Sequence, residues 1–219
     1  MLRALFEKTG NAVYVSHLDL MRLFQRAFKR AGLHLTHTQG YNPRPSVSIA
    51  LPLSVGVESH CELLDFTLEG EPVSCEEIMV RLNQTLVEGV RVLKVYESDT
   101  KIRDIALLDC GVYLEYDQGV SDCAVSELKE LFSKPTLTVE KKSKNGVTEQ
   151  DIIPMIRKIE ISRFDGNTIC MNARICCQNP ALNPAQLVAA IERYMPQYTP
   201  DFARYCRNEI YRTDEEIFR

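Results

Sequence analysis

One order of secondary-structure signals, strand–helix–strand–strand–helix–strand, occurs twice in this chain, either side of a polar stretch at residues 98–104. In the first half, residues 2–7 alternate over a short run and read as a strand. Ser16-His17-Leu18-Asp19 fits a capping box, a serine that takes an orphan helix amide with an acid three residues on. It opens a helix over 16–31 that Gly32 closes at the C′ position. Val47, Ile49 and Leu51 alternate with Ser46, Ser48 and Ala50, a second strand. A third follows at 61–68, with Leu64, Phe66 and Leu68 on one face. Ser74-Cys75-Glu76-Glu77 is another capping box; its helix runs to about residue 87 and stops near Gly89, and 90–96 is a fourth strand.

The second half reads as a strand at 106–116, a helix at 121–132, and a strand at 136–142 ending in the hairpin signal Asn145-Gly146. Runs at 158–162 and 168–177 flank Asp165-Gly166, a second hairpin signal. Ile169, Met171, Ala173 and Ile175 face one way, and Thr168, Cys170, Asn172 and Arg174 the other. Asn183-Pro184 caps and starts a helix to 194, and 203–211 is a closing strand. The expected fold is therefore α+β: two tandem ferredoxin-like (split βαβ) units with antiparallel sheets, at 1–98 and 105–219, the second carrying an extra hairpin. Such sheets hold their helices on one face and leave the other free. The Lys/Arg-Gly-aromatic signature of RNA-recognition motifs is in neither half.

Composition narrows the classes. With 219 residues, 45% hydrophobic and 26% charged, the chain is of ordinary globular make-up. No apolar run approaches the roughly 18 residues of a membrane span. The first eight residues lack the apolar core and cleavage site of a secretory leader, so the expected location is the cytoplasm. Eight cysteines are scattered without a Cys-x-x-Cys pair, which favours reduced, buried thiols over a metal or cluster site. No cofactor is expected in this chain. Net charge is −4 overall, yet residues 1–46 hold seven lysines and arginines against Glu7 and Asp19, a balance of +5. Concentrated positive charge of this kind suits an anionic partner.

The candidate site lies in that basic segment. At about 100° per residue, Leu20, Leu23, Phe24, Ala27, Phe28 and Ala31 form one apolar arc of the first helix. Arg22, Arg26, Lys29 and Arg30 fall together on the opposite side, enough to neutralise about three or four phosphates. A solvated helix face or a dock for an acidic protein accounts for the same pattern. Beyond the helix, Gln39-Gly40-Tyr41-Asn42-Pro43-Arg44-Pro45 fixes an irregular loop through Gly40, Pro43 and Pro45. Tyr41 supplies a ring for stacking and Asn42 an amide for base edges; alternatively Tyr41 packs on the helix's apolar arc. His17, in the first helical turn, is either a catalytic or RNA-contacting imidazole or a side chain tied into the cap and the loop after Gly40. Asp19, Asp109 and Asp151 are isolated acids, read as caps or ion-pair partners.

Several motifs in order carry a resemblance. Tyr14-Val-Ser-His-Leu-Asp-Leu-Met-Arg22, Phe28-Lys-Arg-Ala-Gly32, Gln39 to Pro45, Leu51-Pro-Leu-Ser-Val-Gly-Val-Glu-Ser59, Asp151-Ile-Ile-Pro-Met-Ile156 and Arg207-Asn-Glu-Ile-Tyr211 together resemble the bacterial radical SAM-linked protein family. The match spans nearly the whole chain. Members are fused to, or encoded beside, a radical SAM protein, and the family is a domain of unknown function, so no catalytic residue carries over. The family loop often reads Asn-Pro-His-Pro where this chain has Arg44, which weakens any mechanism needing an imidazole there. No Cys-x3-Cys-x2-Cys run is present, so the resemblance implies the accessory part of such a pair.

The expected function is thus a non-catalytic accessory protein to a radical SAM enzyme that binds tRNA or rRNA through the basic helix and loop. A radical SAM protein and RNA are the implied partners, with no membrane. Two other readings remain at this stage. One is a metal-independent endoribonuclease resembling the CRISPR repeat-processing enzymes, with His17 as acid or base, although the glycine-rich C-terminal loop of those enzymes is not evident after residue 203. The other is a protein–protein docking module.

Overall fold

The computed structural model describes residues 1–143 and 146–219, with the side chains of Lys142 and Ser143 also left aside. The fold is mixed α+β, with four α-helices and antiparallel strand pairing among the described residues. The chain forms two compact units, Met1–Ile102 with Arg219, and Arg103–Phe218.

The first unit runs β1 (Leu2–Lys8), α1 (His17–Arg30), β2 (Val47–Ala50), β3 (Val57–Phe66), α2 (Cys75–Asn83) and β4 (Val90–Glu97). Its strands lie in the order β4-β1-β3-β2, with every neighbour antiparallel. Ala4 and Phe6 of β1 and Leu64 and Phe66 of β3 turn the same face to both helices. There they share one core with Leu20, Phe24, Ala27 and Phe28 of α1 and Ile78 and Leu82 of α2. Phe6 meets Phe24 edge-on at 4.8 Å, and Phe28 meets Phe66 at 4.9 Å. Burying each such side chain contributes about 1.5–3 kcal/mol, and this is what fixes α1 on the sheet.

Boundaries differ from expectation for local reasons. β3 begins at Val57, not 61, because Ser59 pairs with Lys8 across the sheet and is buried despite its polarity. α2 ends at Asn83, not near 87. The side chain of Asn83, the last helical residue, accepts the Val92 amide at 2.8 Å and donates to the Val92 carbonyl at 2.9 Å. Gly89 turns the chain into β4 with φ +82°, and a Cβ there would lie 2.4 Å from the carbonyl oxygen of Thr9.

The second unit runs β5 (Ile105–Glu115), α3 (Ala124–Phe132), β6 (Thr138–Ser143), β7 (Gly146–Asp151), β8 (Ile156–Arg163), β9 (Thr168–Cys176), α4 (Ala185–Tyr194) and β10 (Phe202–Arg212). Its main sheet has the order β10-β5-β9-β8, and β6 and β7 form a separate antiparallel pair. α3 starts three residues later than expected. Residues 121–123 form a turn, with the Ala124 amide on the Ser121 carbonyl at 3.2 Å, and Cys123 offers no side-chain cap. β7 is a strand that the sequence pattern did not announce; of its hairpin signal, Asn145 lies outside the described residues. At the other hairpin Asp165 accepts the Asn167 amide at 2.8 Å, closing the turn between β8 and β9. Along β9, Ile169, Met171, Ala173 and Ile175 are fully buried or nearly so, but Thr168 and Cys170 on the opposite face are buried as well, and only Asn172 is exposed.

Candidate functional site

α1 is pinned at both ends by its own sequence. The Ser16 hydroxyl accepts the Asp19 amide at 3.2 Å and donates to its carboxylate at 2.7 Å. At the far end, Leu33 donates to the Phe28 carbonyl at 3.0 Å and Gly32 to that of Lys29 at 3.3 Å. This is a Schellman closure that needs the left-handed φ of +67° found at Gly32. With both termini and the apolar face fixed, the opposite face has a defined direction.

That face carries Arg22, Arg26, Lys29 and Arg30, all exposed. Arg22 donates to Asp19 at 2.9 Å, a surface pair one turn apart. The Ser16 hydroxyl and then Arg22 hold the Asp19 carboxyl below its usual range. Arg30 reaches the Thr85 carbonyl at 2.6 Å. Arg26 and Lys29 make no hydrogen bond or ion pair among the described residues. The charge balance read from residues 1–46 overstates the surface, however. Arg3 is 0% exposed and bound to Asp65 at 2.5 and 3.0 Å. Lys8 is 1% exposed and donates to the Val13 carbonyl at 3.0 Å. The solvent-facing cations of this segment are the four on α1 and Arg44.

The loop after α1 is a ribbon. Leu33 and Leu35 enter the α1 core, and Leu35 bridges Leu68. Thr36 and Ser46 then bond across at 2.7 Å, and Thr38 donates to the Arg44 carbonyl at 2.8 Å. The Arg44 amide returns a bond to the Thr38 hydroxyl at 3.0 Å. Residues 39–43 form the tip, with Gly40 at φ +152° and Asn42, Pro43 and Arg44 exposed. Tyr41 is 100% exposed. The alternative that Tyr41 packs on the apolar face of α1 is therefore corrected, because Leu33 and Leu35 occupy that role and the tip projects beyond the Thr38–Arg44 closure.

His17 occupies the first position of α1, half-buried. It takes no part in the cap, which belongs to Ser16 and Asp19, and it makes no side-chain hydrogen bond among the described residues. Asp109 is an ion-pair partner, held by Arg174 at 2.8 and 3.0 Å. Asp151 caps the turns at Leu137 and Ile153 at 2.8 and 3.2 Å.

Sequence reasoning missed two features here. Thr38 closes the tip, and its signal was only a polar residue ahead of Gln39-Gly40. Leu18, 65% exposed, sits one turn before Arg22 on the cationic side of α1; the spacing of four residues to Arg22 already placed it there. The arrangement offers guanidinium and ammonium groups to phosphates, a ring to a base, and an amide to a base edge. Among the described residues, no group of three or more His, Cys, Asp or Glu side chains is set to hold a metal ion. Among the described residues, no helix is long and apolar enough to cross a membrane.

Solved structures similar to the chain include a complex of Cbf5, Nop10 and Gar1, at 8% identity and a TM-score of 0.48, covering 94% of this chain and 48% of that one. Another is an H/ACA RNP bound to a substrate RNA containing 2'-deoxyuridine, at 8% identity and 0.46, covering 94% and 46%. A third is an unknown protein from Galdieria sulphuraria, at 14% identity and 0.27, covering 94% and 96%. The chain spans about half the length of the first two. No curated protein matches it in sequence. The family model described as an uncharacterized protein conserved in bacteria, DUF2344, matches residues 1–184, and the chain belongs to that family.

Proposed function

We propose that this protein is a non-catalytic, cytoplasmic RNA-binding accessory that holds tRNA or rRNA for a radical SAM enzyme, using the cationic face of α1 and the 39–43 tip. The observation that carries the reading is Tyr41, a ring wholly in water on a tip held by two hydrogen bonds between Thr38 and Arg44. Stacking a base on such a ring is worth about 1–3 kcal/mol and works for any base. The α1 cations add an attraction that falls with salt, with a slope of about −0.7 per phosphate neutralised on a single strand. Three or four contacts give about −2 to −3.

The architecture of the reading is two split βαβ, ferredoxin-like units. It is supported by the matching strand orders, β4-β1-β3-β2 and β10-β5-β9-β8, each with one helix between its first two strands and one between its last two. The radical SAM partner is supported by the sequence resemblance alone. Co-purification with that partner after nuclease treatment tests it, and loss of the partner on nuclease would leave RNA as the only bridge.

The direct test of the RNA reading is fluorescence anisotropy with a labelled single-stranded RNA and a labelled tRNA across a salt series. Arg26→Glu/Lys29→Glu is expected to flatten the slope, and Tyr41→Ala to weaken binding without changing it. RNA recovered uncut in EDTA agrees with a non-catalytic role, whereas cleavage abolished by His17→Ala overturns it. No binding at low salt by the wild type rejects the RNA reading as a whole.

A further inference from the structure

Strand β8 ends its sheet: among the described residues it pairs only with β9, so its other edge has no strand partner. Alongside that edge runs a cleft of about 310 Å³ between α3 and β8, lined by Lys129, Phe132, Ser133, Ile159, Glu160 and Ile161. Successive strand side chains point to opposite faces. A cleft that touches three consecutive residues of β8 therefore runs along the strand's open edge as well as its helix-facing side. Ile159 and Ile161 face α3, opposite the buried Ala173 and Met171 of β9. Lys158 and Glu160 face the other way and pair with each other at 2.8 Å, both about two-thirds exposed.

Open edges are usually guarded by lysine, which repels a second strand. On β8 that guard is offset at the centre of the strand, because Lys158 and Glu160 flank Ile159 symmetrically, with Arg157 and Arg163 farther out. An antiparallel pairing of two copies through a two-fold axis at Ile159 sets Lys158 of each opposite Glu160 of the other. Centring the axis on Lys158 or Glu160 instead opposes like charges. We propose that β8 is a self-complementary edge through which two copies of this chain pair, with the two-fold axis at Ile159. In that arrangement Lys158 and Glu160 form a four-charge ladder on one face of the joined sheets. The two Ile159 side chains meet on the other face, at the mouths of the two clefts. The interface is isologous, as closed dimers require. It is also small, so the dimer is weak and dependent on concentration.

The test is sedimentation equilibrium of the wild type, Lys158→Glu, Glu160→Lys and the double swap Lys158→Glu/Glu160→Lys. Both positions are on the surface, and circular dichroism verifies that each variant folds. The wild type is expected to dimerise at tens to hundreds of micromolar. Each single reversal turns two favourable cross-strand pairs into repulsive ones and is expected to weaken the dimer about tenfold. The double swap restores opposite charges in that register alone and is expected to return the wild-type constant. A wild type that stays monomeric at every concentration overturns the proposal. So does a dimer that all three variants leave unchanged, or a double swap no better than the single reversals.

Discussion

Thr38 and Arg44 hold each other twice, amide to carbonyl at 2.8 Å and hydroxyl to amide at 3.0 Å, and so close the tip that lifts Tyr41 into solvent. A net hydrogen bond contributes about 0.5–1.5 kcal/mol. Thr38→Val keeps the backbone bond and removes the side-chain acceptor. It is expected to weaken RNA binding about three- to tenfold while leaving the melting temperature nearly unchanged, since the Arg44 amide can turn to water. Anisotropy and calorimetry on the same sample check both halves.

Gly89 is expected to be far less tolerant. Its positive φ disfavours any side chain, and a Cβ would lie 2.4 Å from the Thr9 carbonyl oxygen and 2.9 Å from the Ala12 Cβ. That oxygen is backbone and cannot swing away. Gly89→Ala should cost about 2–4 kcal/mol, read as a lowered urea midpoint, whereas Gly166→Ala, with open space around it, should be near neutral.

The sequence made α1 legible almost to the residue, because its cap, its closing glycine and its apolar arc are all local signals. The α1 cations were legible for the same reason. Arg3 and Lys8 were not: a strand position does not say whether its neighbour across the sheet is Asp65 or water, so both were counted as surface charge. Tyr41 was undecided because a Gly/Pro loop fixes backbone shape without fixing direction. The direction comes from Leu33 and Leu35, whose burial is a tertiary fact. β7 was missed because Gly146 to Asp151 carries no apolar alternation, and its pairing with β6 does not depend on any.

Asp109 gives a pH signature in the second unit. Burial raises its carboxyl, but hydrogen bonds from Arg174 and Tyr211 and the charges of Arg174 and Lys158 outweigh it, so the net shift is downward. Arg174 also stacks over the Tyr211 ring at 3.9 Å. A carboxyl depressed in the folded state contributes stability that is present above its unfolded pKa of about 4 and lost as pH falls through the lower folded value. Asp109→Ala is expected to cost about 2 kcal/mol at pH 7. The gap to wild type should narrow below pH 4 in urea titrations.

All eight cysteines are free thiols, of which Cys123 is exposed and Cys75 partly so. Burial pushes Cys110 up to about 12 and Cys177 to about 11. Native alkylation with iodoacetamide at pH 8 should modify Cys123 first, then Cys75, and reach Cys110 and Cys177 only after denaturation. Peptide mass spectrometry gives the order.

The central claim is that the α1 face and the Tyr41 tip grip RNA. The measurement that tests it most directly is the dependence of the RNA dissociation constant on salt, for wild type and for Arg22→Glu/Arg26→Glu. The account predicts a wild-type slope of log K against log salt of about −2 to −3, reduced by roughly one to two in the variant, with weaker binding at every salt. Equal slopes and equal constants for the two proteins would contradict it.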